Sequence, residues 1–281
     1  MILAIASGKG GTGKTTVAVN MARSIGNAVE LLDCDVEEPN DHLFLKGTLR
    51  SSHVVTIPVP SVDGALCDNC GECGRFCEYH AIVCMGGPPL IFPEICHGCG
   101  GCAIVCPRKA IKEISHEIGV VEALDCGTVR LLQGRLKVGS MLTPMLIRSV
   151  KERAATTGTV LIDAPPGTSC PVVAAVEGAH AVALVTEPTP FGLNDLMLAV
   201  DMMRALGLPF GVVINRAGMG DNRVNDYCRA EKIPLLAEIP NDRRIAEAYS
   251  KGKLAVDILP EMRAIFLSLY QKLLALAKER P

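Results

Sequence analysis

The sequence predicts an α/β protein: a mostly parallel sheet with helices on both faces, interrupted by one small cysteine-rich insertion. Three observations predict it. Short runs of Val, Ile, Leu and Ala alternate with segments of helical character along most of the 281 residues, the pattern of a parallel sheet covered on both sides. A glycine-rich loop follows the first apolar run. Nine cysteines crowd between residues 67 and 106, eight of them in two regular runs, where that alternation stops.

Taken in order, MILAIAS reads as a buried strand and TTVAVNMARSIG as the helix after it. AVELLDCD, residues 28–35, is a second strand, and VVTIPVP a short further one. Beyond the cysteines, PMLIRSVKERAA is helical and TVLIDAPPG is strand then loop. AVALVTEP is a strand, FGLNDLMLAVDMMRALG a helix, and FGVVINRAG and PLLAEIP two more strands. Residues 260–278 form a C-terminal helix whose apolar face suits core packing better than a membrane surface. The domain division is residues 1–61 with 113–281 for the sheet, and 62–112 for the insertion.

Composition narrows the function. The formal charge is −2, which gives no electrostatic case for a nucleic-acid or membrane-surface binder. MILAIAS is too short for a signal-peptide core or a membrane span, so a cytoplasmic location without stable membrane insertion is expected. Thirteen cysteines in that setting point to metal ligation or redox chemistry rather than disulfides.

Gly8-Lys9-Gly10-Gly11-Thr12-Gly13-Lys14-Thr15 fits the phosphate-binding pattern G-x-x-x-x-G-K-[ST], between a strand and a helix as that pattern requires. Glycines let backbone N–H groups wrap phosphates, and the helix N-terminus adds its dipole. Lys14 is placed to neutralise β and γ oxygens, Thr15 to put its hydroxyl on Mg²⁺, and Thr16 to support the α-phosphate. The sheet is thus a P-loop NTPase sheet.

The cysteines form two runs: Cys67, Cys70, Cys73 and Cys77, then Cys96, Cys99, Cys102 and Cys106, related throughout by an offset of 29 residues. This is an internal duplication with the spacing of a two-cluster bacterial ferredoxin, in which the fourth ligand of each cluster comes from the other run. Cys67, Cys70, Cys73 and Cys106 would hold one [4Fe–4S] cluster, and Cys96, Cys99, Cys102 and Cys77 the other. Zinc is the alternative, although zinc sites usually take separated CxxC pairs. Cys84 breaks the repeat and reads as an apolar filler. His80 and His97 suit surface or hydrogen-bonding roles.

KGGTGKTT resembles the deviant Walker A motif of the MinD, ParA, Mrp and nitrogenase-iron-protein class. That resemblance implies an ATPase in which Lys9 reaches across a dimer interface to the partner's nucleotide. It also implies that Asp35 orients the attacking water, with Asp33 and Asp163 near Mg²⁺ through water. Gly167 would bring its N–H to the γ-phosphate, and Asn215 would meet adenine. DCDVEEPN, DAPPGTSCPVV and VTEPTPFGLNDL extend the likeness over essentially the whole chain, to MinD-superfamily ATPases carrying an inserted ferredoxin domain. The expected cofactors are ATP, Mg²⁺ and two [4Fe–4S] clusters. The expected partners are a second copy or a related ATPase, and a redox or metal-acceptor protein.

Three functions follow from this likeness, in order of weight: nucleotide-gated electron transfer, carriage or assembly of iron–sulfur or mixed-metal centres, and spatial regulation. Cys170, seven residues after Asp163, resembles in spacing a cluster ligand of the nitrogenase iron protein. A small buried thiol is the favoured reading, and a site shared across a dimer, with Cys126 as a further ligand, is the other.

Overall fold

The computed structural model describes residues 1–26 and 29–278; Ala28, which opens the expected second strand, lies outside the described residues. The chain runs β1 (Ile2–Ala6), α1 (Lys14–Ile25), β2 (Val29–Asp33), α2 (Asp41–Phe44) and β3 (Thr48–Val62). The cysteine-rich stretch holds α3 (Glu72–Phe76), β4 (Ile82–Val83), β5 (Leu90–Ile91) and α4 (Gly101–Val105). Then follow β6 (Ile111–Cys126), β7 (Val129–Leu136), α5 (Thr143–Glu152), β8 (Thr159–Asp163), α6 (Cys170–Val176), β9 (Ala181–Thr186) and α7 (Pro190–Ala205). The chain ends with β10 (Phe210–Ala217), α8 (Arg223–Ala230), β11 (Leu235–Pro240), α9 (Arg243–Ser250), α10 (Ala255–Ile258) and α11 (Met262–Lys278).

Nine strands form one sheet in the order β11-β10-β9-β1-β8-β2-β7-β6-β3. Every pairing from β11 across to β7 is parallel, whereas β7–β6 and β6–β3 are antiparallel. The parallel strands are apolar without alternation because both faces are covered. In β1, Leu3 and Ile5 pack with α1, α10 and α11, while Ala4 and Ala6 pack with α5 to α8 on the other face. The apolar face of α11 is used in this way: Phe266, Leu269 and Leu273 have no exposure and pack toward α1 and β11. Truncating Phe266 to Ala would cost about 3–5 kcal/mol. Among the described residues, no helix is long and apolar enough to cross a membrane.

The antiparallel edge differs from the sequence expectation. The short strand at VVTIPVP is part of the 15-residue β3, paired to the 16-residue β6 from Thr48–Asp125 to Val62–Ile111. This two-stranded ribbon leaves the sheet and carries the cysteine-rich stretch at its far end. Pro58 and Pro60 lie two apart on an edge strand, where missing N–H groups can face away from the single neighbour. The turn into β7 uses Gly127 at φ 77°, whose N–H is accepted by Asp125 Oδ1 at 3.2 Å. The divisions at 61/62 and 112/113 therefore fall inside continuous strands, not in linkers.

Beyond the ribbon, the internal repeat is visible in the backbone. Left-handed residues recur at the 29-residue offset: Asn69 and Gly98, Gly71 and Gly100, His80 and Lys109. Gly71 and Gly100 each precede a five-residue helix, α3 and α4. Their small shared core is Cys73, Ile82, Cys102 and Ile111.

Candidate functional site

The P-loop joins β1 to α1 at the carboxyl edge of the parallel strands, where open α/β sheets bind ligands. Gly13 is left-handed at φ 92°, and a Cβ there would stand 2.2 Å from Asn215 Nδ2. Asn215, at the end of β10, donates that Nδ2 to the Thr12 carbonyl at 2.8 Å, and its Oδ1 accepts the Arg216 N–H at 3.0 Å. Only glycine allows both the turn and this approach. A Cβ on Gly8 would likewise meet the Asp195 carbonyl, at 2.0 Å.

One cavity brings together Gly10, Gly11, Gly13, Lys14, Thr15, Thr16, Asp35 and Asn215. Thr15 donates its hydroxyl to Asp163 Oδ2 at 2.8 Å, joining the P-loop to the end of β8. Asp33 lies behind them, 1% exposed. Its Oδ1 accepts from the Asp35 N–H, and its Oδ2 from the N–H groups of Asn40 and Asp41. Asp33 thereby sets the loop that presents Asp35.

The electrostatics of this group are those of carboxylates crowded out of water. Burial, then Asp163, pushes the Asp33 carboxyl up, against its backbone hydrogen bonds. Burial also raises Asp163, opposed by Lys14 and Thr15. Asp35 is pushed up to about 6 by burial, with Lys14 again opposing. Nucleotide with Mg²⁺ fits this site. Among the described residues, Thr12 Oγ1 is buried without a hydrogen-bond partner, and no N–H or hydroxyl donates to the buried Asp163 Oδ1.

Two expected residues are engaged elsewhere. The Gly167 N–H donates to the Ser7 carbonyl at 3.0 Å, and it is Pro166 that lines the cavity. Lys9 does not line the cavity and pairs with Glu187 at 2.7 Å. Sequence reasoning also missed residues here. Asp41 is fully buried and raised by burial and by Asp33; it stands one position past the DCDVEEPN segment. Arg216 and Tyr249 line the cavity. Arg216 directly follows the Asn215 signal, while nothing in the local sequence marks Tyr249.

In the cysteine-rich stretch, one cavity is lined by Cys67, Cys70, Cys73 and Cys106. A second is lined by Cys77, Cys96, Cys99 and Cys102. Each draws three thiols from one run and the fourth from the other, which is the donor set two [4Fe–4S] clusters would need. Among the described residues, no three His, Cys, Asp or Glu side chains form a group that could hold a metal ion.

Cys84 is exposed and lines the first cavity, because β4 turns it toward α3; it is not the expected apolar filler. His97 stacks on Tyr79, ring centroids 3.6 Å apart, and His80 is exposed. Cys170, expected buried, is exposed: it opens α6 at the surface, beside Glu37, Met141 and Thr143. Cys126 is buried, its Sγ donating to the Leu45 carbonyl at 3.1 Å, on the sheet face opposite α6.

A phosphate loop at the strand edge, with threonine and aspartate meeting where Mg²⁺ would lie, defines a P-loop nucleotide-binding protein. Its family follows from comparison. The chain belongs to the CobQ/CobB/MinD/ParA nucleotide binding domain family, matched over residues 3–256. An uncharacterised protein of Methanocaldococcus jannaschii is 31% identical over 258 residues, covering 90% of each chain. An iron-sulfur cluster carrier protein of Pyrococcus horikoshii is 26% identical over 305 residues, covering 99% of this chain and 86% of the other. The septum site-determining protein MinD of Pyrococcus horikoshii, solved with Mg-ADP, shares the fold at TM-score 0.60 and 23% identity, over 96% of this chain and 94% of that one.

Proposed function

We propose that this chain is an ATP-hydrolysing carrier or assembly protein for iron–sulfur or mixed-metal centres, whose cysteine-rich, ferredoxin-like insertion holds two [4Fe–4S] clusters. The observation that carries the reading is that the two cysteine runs sort into two cavities, Cys67, Cys70, Cys73 and Cys106 in one, beside Cys84, and Cys77, Cys96, Cys99 and Cys102 in the other, each set with one thiol from the opposite run. When bound, such clusters supply one-electron chemistry and labile iron.

In the ATPase half, Lys14 would neutralise the β and γ oxygens while Thr15 and Asp163 hold hydrated Mg²⁺. Asp35 would orient water, and Lys9 would serve the nucleotide of a second subunit, either a copy of this chain or a related ATPase. Gly167 would reach the γ-phosphate only by giving up its bond to Ser7, and Asn215 would meet adenine from its place behind the P-loop. A cytoplasmic location and a redox or metal-acceptor partner complete the proposal.

Nucleotide-gated electron transfer, ranked first on sequence, becomes the second reading. It rests on the two cavities alone, whereas the carrier reading is also supported by relatives named iron-sulfur cluster carriers. The spatial-regulator reading is weaker still, since the apolar face of α11 is occupied in the core.

The test is anaerobic. The cluster-loaded protein is mixed with an apo-enzyme that regains activity on receiving a [4Fe–4S] cluster, with and without MgATP. The expected result is transfer that depends on MgATP. No transfer, together with a cluster potential that MgATP shifts by tens of millivolts, about a kilocalorie per mole, would replace the carrier reading with the electron-transfer one. Neither effect would overturn both.

A further inference from the structure

The lysine that distinguishes this P-loop is held within its own subunit. Lys9 Nζ donates to Glu187 Oε1 at 2.7 Å, between loops 178 residues apart. The other carboxylate oxygen, Oε2, accepts from Arg216 Nη1 at 3.1 Å. The Glu187 side chain is 12% exposed and that of Lys9 28%.

The loop carrying Glu187 is tightly built. Thr189 Oγ1 accepts the Gly192 N–H at 3.0 Å, and Thr186 donates its hydroxyl to the Gly192 carbonyl at 2.9 Å. A Cβ on Gly192 would stand 2.3 Å from the Glu187 carbonyl oxygen. The carboxylate is therefore placed by its own loop and does not depend on Lys9 for its position.

We infer that Glu187 is a positioning residue that stores Lys9 in cis, so that subunit pairing must first draw Lys9 off this carboxylate. The inference rests on reading Lys9 as the charge given to the partner's nucleotide. Removing one partner of a buried ion pair is normally costly, because the other charge is left alone. Here Arg216 remains on Glu187 when Lys9 departs, so the contact can be released without stranding a charge. The carboxylate competes with the partner's phosphates for the same ammonium group.

The test is sedimentation of the full chain with saturating Mg²⁺ and a non-hydrolysable ATP analogue, comparing wild type, Glu187→Gln, Lys9→Ala and the double variant. Glu187→Gln should pair about tenfold more tightly, a few-fold for each of the two lysines released. Lys9→Ala should abolish the gain in the double variant. Damage to folding would weaken pairing, so tighter pairing cannot arise from it. Unchanged or weaker pairing of Glu187→Gln, with Lys9→Ala impaired, overturns the storage role and leaves the trans-lysine reading standing. Lys9→Ala pairing like wild type overturns both.

Discussion

The Thr15 hydroxyl donates to Asp163 across 148 residues of sequence, tying the first turn of α1 to the end of β8. In this position the pair would orient hydrated Mg²⁺. Thr15→Ala and Asp163→Asn should each lower Mg²⁺ affinity or Mg²⁺-dependent hydrolysis by about 10- to 100-fold. Magnesium titration of hydrolysis checks this, and a variant with an unchanged magnesium midpoint and rate would remove its residue from the site.

Gly13 and Gly11 are both left-handed, yet they differ in surroundings. A Cβ on Gly11 meets nothing within 4 Å, whereas one on Gly13 collides with Asn215. Gly11→Ala should cost only the backbone strain, about 1 kcal/mol. Gly13→Ala should add displacement of Asn215 and abolish measurable nucleotide binding. Calorimetric titration of the two variants separates them; equal affinities would show that the contact between Asn215 and the P-loop is not needed for binding.

The crossed cysteine sets predict a crossed loss. Cys106→Ala should remove the cluster otherwise held by Cys67, Cys70 and Cys73, leaving roughly half the iron. Cys77→Ala should spare that cluster and remove the other. Iron analysis with electron paramagnetic resonance of each reduced variant would show which signal survives. Loss of the same signal from both variants would defeat the crossed assignment.

Acid should favour the nucleotide-free fold at this site. Burial chiefly pushes the Asp35 carboxyl up to about 6 in the folded chain, against an ordinary 3.8. Between those values the folded state binds more protons than the unfolded one, so this group's contribution to stability falls as pH rises from about 4 to about 6 and is level above. Melting curves without Mg²⁺ should show that fall, with Asp35→Asn flattening part of it. Mg²⁺ with nucleotide should restore stability above pH 6 by binding only the folded state. A profile identical in wild type and Asp35→Asn would contradict this account of Asp35.

Much of the fold was legible because its parallel strands are short, apolar and regularly spaced. β1, β8, β9, β10 and the C-terminal helix are read directly from such runs. The β3–β6 ribbon was not. KEISHEIGVVEALDC mixes charged and apolar residues because half of it stands outside the sheet, and only the Gly127 turn marks the hairpin. Cys170 and Cys84 were misplaced for a related reason: exposure of a single thiol depends on which neighbours arrive from elsewhere in the chain.

Local pattern by itself determined the P-loop, the order of acidic residues at strand ends and the duplicated cysteine runs, since each depends on spacing that a loop or short helix converts directly into geometry. The tertiary structure alone decided what those residues meet. Asp41 comes to lie beside Asp33 and Asp163, Gly13 against Asn215, and Lys9 on Glu187 rather than at the cavity. These contacts join segments distant in sequence, and their positions follow from sheet order and loop packing, which no local run of residues encodes.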